Sequence, residues 1–309
     1  MKKIIDIQTK KQTINEMIRQ MSESGGFSAK HLATSVDILE EMEKDKKCVK
    51  FLSFPACIIA TGARGVIKDC AKEKLFDVLI TTCGMLDHDI ARSYKHYYEG
   101  RFSMDDKELH KKDIHRLGNV LVPKESYGII IEKLMEKWLP EINKEHKELA
   151  TYELCWEFGK RIKDENSILY WAYKNKIPVI IPGITDGAVG YQLWQYYQDH
   201  NFKIDILKDE TLMSDLIWKA KKSGGLMIGG GISKHHTIWW NQFRDGMEYA
   251  VYLTTAVEWD GSLSGAKPRE AISWNKIKEK ARMVTVNGDA TISLPLIMSA
   301  LKERLKNQA

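Results

Sequence analysis

Short apolar runs alternate with longer stretches in which hydrophobic positions recur at helical spacing. Val49–Phe54, Phe76–Thr82, Val179–Ile181, Leu226–Ile228, Tyr249–Thr254 and Val284–Val286 are rich in β-branched or aromatic residues and too short for buried helices, so they predict strands. A segment capped by Ser28 and running through Leu39 and Met42, together with Glu125–Leu139, Gly187–Gln198 and Glu210–Lys222, predicts helices between them. Such alternation builds βαβ units. The expected fold class is therefore α/β: a Rossmann-like, doubly wound, mainly parallel sheet with helices on both faces. Residues 1–27 read as a polar N-terminal extension with a short amphipathic segment, and residues 28–309 as a single domain. The charged, turn-rich stretch Glu99–Asn119 reads as a surface excursion between a helix and the next strand.

Composition narrows the function classes. With 43% apolar residues in a chain of 309, a large two-sided core is affordable and nothing is of low complexity. The net charge of +5 arises from 47 basic and 42 acidic residues that are intermixed, with no Lys/Arg block of the kind that binds nucleic acid. A mild positive balance favours an acidic protein partner. The five cysteines, Cys48, Cys57, Cys70, Cys83 and Cys155, contain no C-x-x-C pair, so neither a disulfide framework nor a metal site is indicated and a reduced, cytoplasmic protein is expected. The N-terminus has basic residues without a long apolar run, and no stretch approaches 18 uncharged apolar residues, so neither export nor membrane insertion is expected.

In sheets of this kind ligands bind beyond the carboxyl ends of the strands. Thr81-Thr82-Cys83-Gly84, Asp186, Gly229-Gly230-Gly231 and Thr254-Thr255-Ala256 all fall there. The triglycine can bring bare backbone N–H groups to a dinucleotide phosphate, although a tight turn without a ligand fits it equally well. Asp186, Asp260 and Asp289 each follow an apolar run and can accept from ribose hydroxyls; helix capping is the plainer role for Asp186 and Asp289, and both roles can coexist. His235, four residues after the glycine loop, belongs to the first turn of the next helix, where a neutral imidazole can take a proton from a substrate amine. Trp274-Asn275-Lys276 sets a lysine two residues after an indole. Burial there would disfavour the ammonium and expose a free amine able to form an imine, whereas a surface lysine would merely lay its stem along the ring.

The run Ser264-Gly-Ala-Lys-Pro-Arg-Glu-Ala-Ile-Ser-Trp-Asn-Lys276-Ile resembles the signature of the deoxyhypusine synthase family. Four further blocks resemble that family in the same order: Pro182-Gly-Ile-Thr-Asp186-Gly, Gly229-Gly-Gly-Ile-Ser-Lys-His235-His236, Thr254-Thr-Ala-Val-Glu-Trp-Asp260-Gly-Ser and Gly288-Asp289-Ala290. The similarity extends from about Phe51 to Leu301. It implies an NAD-dependent enzyme that transfers the aminobutyl group of spermidine, or a related polyamine, through an imine on Lys276 to a lysine of the hypusine-bearing translation factor, working as a homotetramer. His235 is then the catalytic histidine and His236 structural. The cofactor set is Thr82, Gly84, Asp186, Gly229, Gly230, Gly231, Thr255, Ala256, Asp260, Asp289 and Ala290.

The same resemblance assigns Ser264, Glu270 and Trp274 to the amine site, with departures from the best-known eukaryotic members. Positions that are acidic there read His88, Tyr191 and Leu263, and a Ser-Asn reads Ala56-Cys57. The patterns Leu86-Asp-His-Asp-Ile-Ala-Arg92 and Asp260-Gly-Ser-Leu-Ser-Gly-Ala266 are similar to archaeal-type members. Asp87, Asp89 and Glu258 are the carboxylates left to hold a cationic amine beside His88 and Tyr191. Two other readings stay open at this point: aminobutyl transfer to a small amine, as in homospermidine synthase, and a non-catalytic NAD-binding homologue.

Overall fold

The computed structural model describes residues 1–306. They cluster into two compact units, one formed by Met1–Phe54, Leu75–Asp77 and the chain from Met213 onward, the other by Pro55–Lys74 and Val78–Leu212. The expected α/β class holds, with mainly parallel strands and helices around them.

In the first unit four parallel strands lie in the order Ile277–Asn287, Met247–Thr254, Lys222–Ile228, Cys48–Ser53. Val251 aligns with Leu226 on one side and Val284 on the other, and Phe51, Leu52, Leu226, Met227, Val251 and Leu253 are wholly buried. Two strands are longer than their apolar runs predict. Lys222–Ile228 begins four residues early because Ser223-Gly224-Gly225 is buried: a side chain at Gly224 would press on Met42 and Tyr249. Ile277–Asn287 starts seven residues before the Val284–Val286 run, in a charged segment where Glu279 and Lys280 point outward, as suits an outer strand. The helix Phe27–Lys44 is capped at Gly26 instead of Ser28.

The amphipathic segment of the N-terminal stretch is the helix Ile14–Glu23, started by a capping box in which Glu16 N–H donates to Thr13 Oγ1 and Thr13 N–H to Glu16 Oε2. It packs on Phe27–Lys44 and Ala290–Lys306, where buried Arg304 donates to Asn15 Oδ1 at 2.7 Å and to Asp37 at 2.6 Å.

The second unit holds the short parallel pair Val78–Ile80 and Val179–Ile180 among helices that include Cys83–Tyr94, Gly128–Glu145 and Ala188–Asp199. The stretch read as a surface excursion is largely exposed and carries a small antiparallel sheet that the reading did not foresee, Tyr98–Glu99 with Val120–Pro123 and Ile114–Leu117, turned at Gly118 with φ +62°. No helix among the described residues is long and apolar enough to cross a membrane.

Candidate active site

Lys276 owes its place to the turn before it. The helix Pro268–Ile272 ends at Ser273, and Asn275 then adopts a left-handed conformation with φ +58°, which asparagine tolerates well. Its N–H donates to Ile272 O and the Lys276 N–H to Ala271 O, while Asn275 Nδ2 donates to Gln242 O and Asp245 Oδ1. The chain leaves this turn as the strand Ile277–Asn287, so Lys276 stands at the joint between helix and sheet. It is only 7% exposed, although Trp274 beside it is 63% exposed. Its Nζ lies 5.1 Å from the centroid of the Trp274 ring and 5.7 Å from that of Trp239. Burial holds the amine below the ordinary lysine range, opposed by the negative charge of Glu270. Of the two readings left open by the sequence, the structure thus shows the buried lysine.

A cavity of about 270 Å³ opens around this amine, lined among others by His235, Trp239, Tyr252, Glu270 and Trp274. His235 sits on the helix Gly231–Asn241 one turn before Trp239, and the two rings stack at 5.7 Å and 26°. Burial and the neighbouring Lys276 charge both lower its pKa, so the imidazole is neutral at neutral pH and one of its ring nitrogens can accept a proton. His236 points inward, and burial lowers its pKa to about 4.

The residues expected to line a dinucleotide site divide between the units. In the first unit, Gly229 to Gly231, Thr255, Ala256, Asp289 and Ala290 follow the carboxyl ends of three neighbouring parallel strands. Gly229 and Gly231 have φ of +69° and +72°, conformations that favour glycine, and Gly231 opens the helix that carries His235. Gly230 has a different reason to be glycine: any side chain there would collide with Ser264, which ties the glycine loop to the signature segment. Asp289 caps the helix Ala290–Lys306, its Oδ1 accepting from the Thr291 N–H and hydroxyl, and remains exposed. Asp260 is likewise exposed and accepts from Ser262 N–H at 2.7 Å. A helix N-terminus, left-handed glycines and exposed carboxylates together suit a dinucleotide's phosphate and ribose groups. Thr82, Gly84 and Asp186 belong to the second unit. Thr82 precedes the helix Cys83–Tyr94, Gly84 packs so closely on Ala56 that a Cβ would lie 2.9 Å from it, and Asp186 is exposed.

The expected amine-site residues divide in the same way. Ser264, Glu270 and Trp274 are in the first unit, Glu270 and Trp274 in the Lys276 cavity itself, and Glu258 is exposed on a short 3-10 turn. Asp87, His88, Asp89 and Tyr191 are in the second. Asp87 is fully buried and accepts from Tyr127 Oη at 2.7 Å and from the Ala188 and Val189 N–H groups, capping the helix Ala188–Asp199; burial raises its pKa. Asp89 is also fully buried, and Arg64 Nε, Ser167 Oγ and the N–H groups of Ile168 and Leu169 all donate to it. His88 bonds to Tyr97 Oη at 2.9 Å, and Tyr191 lies exposed against Trp194. A larger cavity of about 460 Å³ in this unit is lined by apolar groups such as Leu193, Trp194 and Phe202, with no carboxylate or histidine, so it offers no comparable chemistry.

Trp239, Lys234 and Tyr252 were given no role from the sequence, yet all line the cavity. Trp239 shares a face with His235 at a spacing of four, a signal that was there to be used; Lys234 and Tyr252 gave none, since only the fold shows a lysine 1% exposed with its Nζ 3.9 Å from a buried tyrosine ring.

Comparison with known proteins places the chain in a family. The sequence model of the family described as "Deoxyhypusine synthase" matches residues 16–301. Relatives named "probable deoxyhypusine synthase" include one from Picrophilus torridus, 58% identical over 95% of both chains, and one from Thermoplasma acidophilum, 55% identical over 93% of this chain and 92% of its own. A solved structure from Entamoeba histolytica bearing the same family's name superposes with a TM-score of 0.67 at 18% identity, over 96% of each chain, a likeness in fold. Matched along nearly its whole length and at more than half of its positions, the chain belongs to the deoxyhypusine synthase family.

Proposed function

We propose that this enzyme, a transferase of hypusine biosynthesis, uses NAD to move the aminobutyl group of spermidine, by way of an imine on Lys276, to a lysine of the hypusine-bearing translation factor. The observation that carries this reading is the buried Lys276 amine, set between the Trp274 and Trp239 rings with neutral His235 lining the same cavity. When bound, NAD supplies a hydride acceptor that becomes the donor once transfer is complete; the residues proposed to hold it are Gly229 to Gly231, Thr255, Ala256, Asp260, Asp289 and Ala290, with Thr82, Gly84 and Asp186. His235 takes the proton of the donor's secondary amine through a ring nitrogen. The free amine of Lys276 then forms the C=N bond to the aminobutyl carbon, and diaminopropane leaves with its nitrogen. The acceptor lysine displaces Lys276 by the same exchange in reverse, so one difficult substitution becomes two easier ones.

Glu270, with Trp274, is the proposed contact for the donor's ammonium groups, supported by its place in the Lys276 cavity. Asp87, Asp89 and Glu258 are further from such support, since the first two already accept from protein donors and the third lies at the surface. The family resemblance also supports a homotetramer acting in the cytoplasm on soluble partners, neither nucleic acid nor membrane.

Mass spectrometry of the recombinant factor after incubation with enzyme, NAD and spermidine tests the reading. A gain of one aminobutyl group on a single lysine is expected. A factor that stays unmodified while putrescine is converted to a longer polyamine would replace the acceptor, and preference for agmatine as donor would replace the amine.

A further inference from the structure

Lys234 stands next to His235, and its Nζ donates to two backbone carbonyls of one loop, Leu263 O at 2.7 Å and Ala266 O at 3.1 Å. Two other contacts pin the same loop. Gly230 of the glycine loop lies so close to Ser264 that no side chain fits between them, and Gly265 folds as tightly onto the Val257 carbonyl. Leu263 and Ala266 also form part of the wall of the Lys276 cavity. We infer that Lys234 is a positioning residue, a latch that ties the loop Ser262–Ala266 to the helix carrying His235 so that both form one rigid wall of the amine cavity.

The energetics separate a latch from a structural lysine. Lys234 is 1% exposed, its two acceptors are uncharged, and burial lowers its pKa to about 8, with the Lys267 charge acting the same way and Glu270 opposing both. Burial disfavours the ammonium, a cost that the two hydrogen bonds and the Tyr252 ring face, 3.9 Å from Nζ, offset, so replacing the lysine by an apolar side chain of similar length should change global stability little. Protonated or not, the amine has the two N–H groups the latch needs. With both carbonyls engaged, it is also poorly placed to form an imine, in contrast with Lys276.

The latch itself does not depend on the proposed reaction; its effect on the amine rests on that reading. Lys234→Met should melt within a few degrees of the parent enzyme, while backbone hydrogen exchange at residues 262–267, measured without substrate, becomes at least about tenfold faster. Spermidine KM should rise by about tenfold with a smaller change in kcat, because the wall is no longer preorganised. Lys234→Arg, which keeps donors at this position, should recover part of the exchange protection. Unchanged exchange in folded Lys234→Met would overturn the latch, and so would a variant that unfolds or melts far below the parent, since the lysine would then be an ordinary structural residue. Failure of the wild-type enzyme to modify any factor would instead sink the reaction and leave the exchange result standing.

Discussion

Two buried charges, one in each unit, are held in opposite ways. In the second unit Asp89 is sealed from solvent and every donor around it is protein: a guanidinium, a hydroxyl and two backbone N–H groups. Its charge is balanced by that guanidinium, and it fastens the helix Ile168–Asn175 to Arg64. In the first unit Lys276 is almost as deeply placed, yet it faces ring surfaces and a cavity. A buried charge with a complete set of partners belongs to the architecture. One left short of partners beside open space has unspent reactivity, and the burial that disfavours its ammonium is what readies its amine.

Removing each group should therefore have opposite signatures. Lys276→Ala is expected to reduce factor modification by at least about a thousandfold while leaving the melting temperature within a few degrees of the parent, since a covalent relay has no substitute. Lys276→Arg should fail as completely, because a guanidinium does not give up its proton. Borohydride trapping with spermidine should map an adduct to Lys276; an adduct on Lys234 or Lys267 would move the assignment. His235→Ala comes next, with a loss on the order of 10²–10⁴-fold in amine oxidation, followed as NADH absorbance in single-turnover mixtures. His236→Ala should lose much less, and the reverse order would refute the proton role assigned to His235.

Asp89→Ala carries the contrast to the other unit. It leaves the Arg64 guanidinium, 5% exposed, without its main partner and should lower stability by about 3–5 kcal/mol in denaturant titrations. In whatever fraction stays folded, trapping at Lys276 should proceed normally. Intact stability with lost amine binding would instead return Asp89 to the substrate site.

Much of this was legible beforehand, for identifiable reasons. The Tyr249–Thr254 run is a strand in the structure almost residue for residue, because a central parallel strand is apolar on both faces. The outer strand Ile277–Asn287 was mostly hidden, because one exposed face and repeated charges erase the apolar signal. The hairpin turned at Gly118 was legible in principle, since Gly118-Asn119 separates two segments with β-branched residues, but the surrounding charge masked it. In the site, Lys276 and His235 were singled out because the motifs around them resemble the family's, short-range pattern alone leaving both open, and the structure brings them to one cavity. Lys234 and Tyr252 were not found, because a lysine on a tyrosine ring depends on residues 18 positions apart whose meeting only the fold decides. The glycine at 230 has a second reason that the sequence did not show: its lack of a side chain also makes room for Ser264.

The smallest expected effect concerns Glu270, whose negative charge favours the ammonium form of Lys276 against the burial that disfavours it. Lys276 lies below its usual range in the folded enzyme, so its free amine appears as pH rises, and earlier than for an exposed lysine. Removing the Glu270 charge takes away the group that raises this pKa, so Glu270→Gln should shift the rising limb of the borohydride-trapping profile to lower pH. The same change removes the carboxylate proposed to hold the donor's ammonium, so spermidine KM should increase by about ten- to a hundredfold. The two readouts thus move in opposite senses, better trapping at a given low pH with saturating amine and poorer binding at limiting amine. A profile shifted to higher pH would show that Glu270 does not govern the Lys276 amine, and an unchanged KM would remove it from the donor site while leaving the contrast between the two buried charges intact.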